Sequence, residues 1–390
     1  MVRRGCEFLI SFMLLSSSLG VTAQTPALPQ ALSEFAAGVD ISEVKTLAEH
    51  GTIYRVGGKV QDPYRILHDA GINWVRIRLF VHPDGKGPLT NDLPYALAEA
   101  EQAKRNHLRV LLDMHLSDSW ADPGQQKTPA AWAHLDHSQL VRQVRTYAAD
   151  TIRAFAHAEV TPDMVEVGNE ITNGLLWPDG QLSWKDRDDD EWQRLADLLK
   201  AGEDGIREAS GSKNKPLIMI HLDRGGDSAK SRTFFDRILV RGVDFDVIGL
   251  SDYPWWQGTL QQLSDNLAAL ARTYHKPIIV VETGFPWSPQ SFTVDGIVYT
   301  GRAAEANVLH FPPTPEGQSE YLRKLIATVR ATPDGLGVGV FYWAGMWVQN
   351  KSWAAPKWSG DWEQRALFGK DGRALPALFA LGTAGRLKTN

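Results

Sequence analysis

Two glutamates each close a short apolar run: Glu170 follows Val165-Glu166-Val167-Gly168-Asn169, and Glu282 follows Ile278-Ile279-Val280-Val281. Carboxyl groups that face one another in this way suit cleavage of a glycosidic bond. One, with a raised pKa, protonates the leaving oxygen while the other attacks or activates water. The opposing reading makes each glutamate a buried ion-pair partner. Further polar residues end apolar runs at Asp40, Arg76, Arg78, Asp113, His115, Asn169, His221, Asp223, Asp252, Tyr253 and Trp343. Any one of these alone reads as a cap or a satisfied core group. Together at one rim they would be costly to leave unpaired unless a site used them.

Whether they meet depends on the elements that carry them. Short β-branched runs alternate with longer amphipathic stretches, the pattern of repeated βα units around a parallel sheet. Strands are predicted over Phe35 to Asp40, Trp74 to Phe80, Arg109 to His115, Met164 to Asn169, Leu217 to His221, Phe245 to Leu250, Ile278 to Glu282 and Val338 to Trp343. Helical spacing fills Ser138 to Ala158, Glu191 to Glu208, Thr259 to Tyr274 and Glu316 to Ala331. Asp92 precedes another helix as an N-cap, and Leu375 to Leu381 forms the last. Eight parallel strands close a (β/α)8 TIM barrel, whose active site lies at the C-terminal strand ends. No composition break or repeat divides residues 24–390, so they are expected to form a single catalytic domain.

Residues 1–23 read as a signal peptide: Arg3 and Arg4 start it, Phe8 to Val21 are mostly apolar, and Val21-Thr22-Ala23 offers a cleavage site. A secreted or periplasmic chain is expected, with no membrane partner. The single cysteine, Cys6, falls inside this segment, so stability must come from the core and not from disulfides. The net charge of -5 is made of interspersed signs with no basic face, which argues against a nucleic-acid partner. The 14 tryptophans exceed ordinary usage, and many sit beside Gly, Pro, Asp or Asn, where flat aromatic faces suit sugar rings.

The motifs around these residues are long and distinctive. They include Gly38-Val39-Asp40-Ile41-Ser42, Val75-Arg76-Ile77-Arg78-Leu79-Phe80, His115-Leu116-Ser117-Asp118-Ser119-Trp120-Ala121-Asp122-Pro123, Gly174-Leu175-Leu176-Trp177-Pro178, Ile218-Met219-Ile220-His221-Leu222-Asp223 and Phe341-Tyr342-Trp343. In these the chain resembles glycoside hydrolase family 53, the arabinogalactan endo-β-1,4-galactanases of clan A, over almost its whole mature length.

The resemblance implies Glu170 as acid/base and Glu282 as nucleophile of a retaining reaction, with no cofactor. It implies that Asn169 binds the sugar 2-hydroxyl and that Arg76 and Tyr253 hold the nucleophile ionised. Trp343 would floor the subsite of the attacked sugar, with Trp177, Trp255, Trp287 and Trp347 as further platforms. Asp40, Arg78, His115, Asp118, Trp120, His221 and Asp223 complete the expected supporting set. The expected partner is polysaccharide, bound by a monomer.

Two stretches depart from the family pattern: Ser251-Asp252-Tyr253-Pro254 places an acid before the tyrosine, and Ala344-Gly345-Met346 follows Trp343. Both bear on the preferred sugar, which leaves another clan A endo-glycanase or a silent carbohydrate-binding barrel as alternatives. Ser288 to Gly301 contains one acid, Asp295, so no structural calcium is expected.

Overall fold

Alternation along the strands decides what the barrel encloses. The computed structural model describes Met1 and residues 28–185, 188–211, 215–289, 292–294, 297–299, 311–348 and 362–389. Residues 2–27, which hold Cys6 and all of the signal segment but Met1, and Asp295 lie outside the described residues. Eight parallel strands close a barrel: β1 (Ala36–Asp40), β4 (Trp74–Leu79), β5 (Arg109–Met114), β6 (Met164–Val167), β9 (Leu217–Leu222), β10 (Val247–Ser251), β11 (Ile278–Glu282) and β14 (Gly337–Tyr342). Two short hairpins, β2 (Tyr54–Val56) with β3 (Lys59–Gln61) and β7 (Gly174–Leu175) with β8 (Gly180–Gln181), decorate it. A third pairs β12 (Phe292–Val294) with β13 (Ile297–Tyr299).

The helices Leu93–Arg105, His137–His157, Asp189–Ala209 and Leu260–Tyr274 start near the expected positions. Three of these starts carry side-chain caps. Asp92 accepts from the Tyr95 N–H, while Asp136 with Gln139 and Thr259 with Gln262 form capping boxes. The helices Pro63–Ala70 and Ser228–Leu239 have no counterpart in the sequence reading, although Asp62 and Asp227 cap them in the same way. No helix among the described residues is long and apolar enough to cross a membrane.

Outward-facing strand residues such as Val75, Ile77, Leu112, Val165 and Ile220 pack with the helices in one large core. Inward residues near the strand starts, including Trp74, Leu111, Met164, Met219, Val247 and Ile279, form a second cluster that plugs the barrel. Two residues further along, the same inward parity delivers Arg76, Asp113, Glu166 and His221. The barrel therefore has an apolar floor and a charged upper layer.

Candidate active site

Arg76 is the hub of that layer. It is buried, and its Nε and Nη2 grip Glu166 at 3.0 and 2.9 Å in a two-point fork. Its Nη1 meets Glu282 Oε1 at 2.7 Å and Asp40 Oδ2 at 3.5 Å, and its Nη2 lies 2.9 Å from Asp113 Oδ2. Four carboxyl groups thus share one guanidinium, which such a planar fork of donors is suited to hold. Burial works against the ionised form of Asp113, yet Arg76 and His115 hold it down to about 2.

Simple alternation would turn Glu282 outward, because Val281 before it belongs to the barrel plug. An irregularity prevents this: Val280 pairs with Leu250, but the next pair joins Glu282 to Ser251, skipping one residue of β11. Such a bulge re-aims a side chain at a strand end. Glu282 then accepts from Arg76 on Oε1 and from the Tyr253 hydroxyl, at 2.9 Å, on Oε2. Burial raises its pKa and the Arg76 charge opposes the rise.

Glu170 has a different setting. Gly168 at φ +81° and Glu170 itself at φ +47° turn the chain sharply out of β6. Left-handed backbone is costly for a glutamate and is retained where the surroundings impose it. Its Oε1 lies 2.5 Å from Ser251 Oγ, and among the described residues no lysine or arginine pairs with it. Burial, then the charges of Glu282 and Asp223, push its pKa well above the usual carboxylate range. It therefore holds a proton more firmly than the cation-bound Glu282, a difference set by Arg76.

Both glutamates open into one cavity of about 580 Å³, bordered also by His115, Trp120, Asn169, Asp223, Tyr253, Trp343 and Trp347, all expected from the sequence. Asn169 is oriented by donation to the Ala121 carbonyl at 2.8 Å. Asp40, Arg76 and His221 are buried and stand outside the cavity lining.

Arg78 does not reach the cavity: it binds Glu43 at 2.7 Å and lies 4.1 Å from the centre of the Trp120 ring, supporting that ring from behind. Asp118 is a loop pin, accepting from the His82 and Ala130 N–H groups at 3.0 and 2.9 Å. Trp177 and Trp287 donate their indole N–H to the Asn173 and Glu363 carbonyls and stand outside the lining, as does Trp255. Asp252 sits behind the wall, buried, with its pKa raised by burial to about 7.

The sequence reading missed Glu166, hidden between two valines as an apparent strand interior, although its spacing from Met164 marks it as inward. It also passed over Ser251, Arg224, Trp256 and Trp362. The last packs 4.2 Å from Trp343, and Trp256 is 64 % exposed at the cavity rim.

A (β/α)8 barrel that sets a proton-holding carboxyl and a cation-held carboxyl in one aromatic-walled cleft has the build of a glycoside hydrolase. The comparisons narrow this class. The chain belongs to glycosyl hydrolase family 53, which it matches over residues 36–381. It is 33 % identical to the arabinogalactan endo-beta-1,4-galactanase of Cellvibrio japonicus, covering 93 % of this chain and 92 % of that one. The catalytic domain of the family 53 enzyme from Ignisphaera aggregans superposes with a TM-score of 0.82 at 34 % identity, over 92 % of this chain and 97 % of that one. A fungal beta-1,4-galactanase does so at 0.75 and 34 %, over 88 % and 98 %.

Proposed function

We propose that this chain is an endo-β-1,4-galactanase that hydrolyses galactan or arabinogalactan with retention of configuration, Glu170 serving as acid/base and Glu282 as nucleophile. The observation that carries the roles is the unequal share of Arg76. It touches Glu282 at 2.7 Å, and among the described residues no cation pairs with Glu170. An attacking carboxylate must be ionised and an acid must not be, so the two environments divide the labour. Glu170 protonates the departing oxygen as Glu282 bonds to the anomeric carbon. Glu170 then deprotonates the water that releases the sugar.

The galactan reading comes from the relatives, which carry that activity in their names over most of this chain's length. The aromatic border formed by Trp120, Trp343, Trp347 and Trp256 supports a polymeric sugar as ligand. The arginine-started apolar N-terminus supports export, and a monomer is the working assembly. Release of reducing ends from pectic galactan, with none from xylan, glucomannan or cellulose, is the expected assay result. Release mainly from another of these polymers would overturn the substrate. The retaining geometry sets the carboxyl groups about 5 to 5.5 Å apart, so early products should carry the β-anomer by proton NMR.

A further inference from the structure

A chain of buried groups runs from the Arg76 hub to the acid/base. His221 is fully buried on β9, and its Nδ1 lies 2.6 Å from Glu166 Oε1 and 3.1 Å from Asn169 Oδ1. Its Nε2 lies 2.8 Å from Ser251 Oγ, which in turn lies 2.5 Å from Glu170 Oε1. Where the hydrogens sit follows from the partners.

The Asn169 amide is fixed, since its nitrogen donates to Ala121 and its oxygen accepts from Arg76 at 2.8 Å. With Glu166 held as a carboxylate by the Arg76 fork, Nδ1 faces two acceptor oxygens and carries a hydrogen. The Glu170 backbone N–H also points at this nitrogen, but at 3.4 Å that contact is long beside the 2.6 Å contact with Glu166. Burial keeps the imidazole neutral, lowering its pKa to about 4, so Nε2 is bare and the Ser251 hydroxyl must donate to it. A hydroxyl has one hydrogen.

We propose that Ser251 is a positioning residue that keeps Glu170 in its acid form, because its only hydrogen is committed to His221 and it offers Glu170 nothing but lone pairs. The short Ser251–Glu170 contact is then attractive only when Glu170 is the donor.

The reverse arrangement holds the same three hydrogens: one on Glu166, one on Nε2, and the Ser251 hydrogen turned toward an ionised Glu170. Burial favours it by pushing Glu166 up to about 8, and a Ser251 hydroxyl turned toward Glu170 would hold that carboxyl down. The Arg76 fork on both Glu166 oxygens opposes it, and among the described residues Glu170 has no comparable cation. The shared hydrogen thus rests on Glu170. The other charges that act most on these groups are Glu282 on β11, Asp223 after β9, Asp122 after β5 and Asp113 on β5, while Arg224, which borders the same cavity, is paired to Asp223 at 2.8 Å. Once Glu170 has given its hydrogen to the leaving oxygen, the new carboxylate faces the Ser251 lone pairs. It recovers a hydrogen from the attacking water, which becomes the hydroxide equivalent that frees the sugar.

The inference rests on Glu170 being the acid/base, and the test separates the two. With galactan as substrate, kcat/KM of the full chain is followed against pH for wild type, Ser251→Ala, Ser251→Thr and Glu170→Ala. Loss of the acceptor should move the alkaline limb of Ser251→Ala down by about one pH unit, the worth of one such hydrogen bond. Ser251→Thr, which keeps the hydroxyl, should retain the wild-type limb.

An upward shift would mean that Ser251 donates to ionised Glu170, and an unmoved limb would mean that it holds nothing. Either result, or a Thr variant displaced as far as the Ala variant, overturns the proposal. A wild-type alkaline limb surviving in Glu170→Ala would instead overturn the acid/base assignment. Nitrogen-15 NMR of labelled histidine needs no variant: His221 should be protonated at Nδ1 and bare at Nε2, and the opposite tautomer would refute the relay.

Discussion

Met164 and Glu166 point into the barrel from one strand, two residues apart, and their surroundings have nothing in common. Met164 packs with Trp74, Leu111 and Met219 in an apolar plug. Glu166 lies one layer higher in a cluster of four carboxyl groups around Arg76. The floor gains stability by removing apolar surface from water. The upper layer stores charge that would be expensive anywhere without its arginine. The same strands thus divide folding from chemistry by height along the barrel axis, and the division can be attacked from either side.

The largest effect is expected from Arg76→Ala, which leaves Asp40, Asp113, Glu166 and Glu282 without their shared cation. Breaking a buried pair of this kind costs about 3 to 5 kcal/mol. Activity on galactan should fall by more than about 10³-fold, since Glu282 would bind a proton more tightly and lose its orientation. Thermal melting combined with kinetics checks both. A variant that melts like wild type would show that the charges do not depend on Arg76.

Met164→Ala attacks the floor. A cavity there should cost about 2 to 5 kcal/mol in denaturant unfolding. The pH profile of the surviving folded enzyme should stay in place, and a displaced profile would show that the two layers are not separable.

Tyr253→Phe makes the mildest change, removing one donor to Glu282. A hydrogen bond to a charged group is worth roughly 1.5 to 3 kcal/mol, or about 10- to 100-fold in kcat/KM. The lost donor had favoured the carboxylate, so the Glu282 pKa rises further. The acid limb of the profile should therefore move to higher pH, and movement to lower pH would contradict the contact's role.

The two layers were not equally legible in the sequence. Strand alternation and strand-end polarity located Arg76, Asn169, Glu170 and Tyr253 because each stands where a period-two run meets polar residues. Two kinds of information were hidden. Glu282 reaches the cavity through a bulge, which a period of two does not encode. Glu166 and Ser251 act through partners on other strands, so their chemistry exists only once β6, β9 and β10 are side by side.

Asp118 shows the converse: an acid near a strand end that the resemblance sets among the supporting residues of the site, and that the fold uses to tie backbone N–H groups of two loops. Among the aromatics, Trp177 and Trp287 read as platforms from their loop neighbours. Their indole donors to backbone carbonyls make them loop supports.

The assignment of Glu170 and Glu282 to opposite tasks is tested most directly by azide rescue of their alanine variants on an activated aryl galactoside. Such a leaving group departs without protonation, so Glu170→Ala still forms the glycosyl-enzyme but hydrolyses it slowly for want of a base. Azide needs no base and should restore turnover of Glu170→Ala, giving the β-galactosyl azide after two inversions. In Glu282→Ala azide would fill the place of the missing carboxylate and give the α-azide after one. The β-azide from Glu282→Ala together with the α-azide from Glu170→Ala would mean that the two residues hold each other's roles.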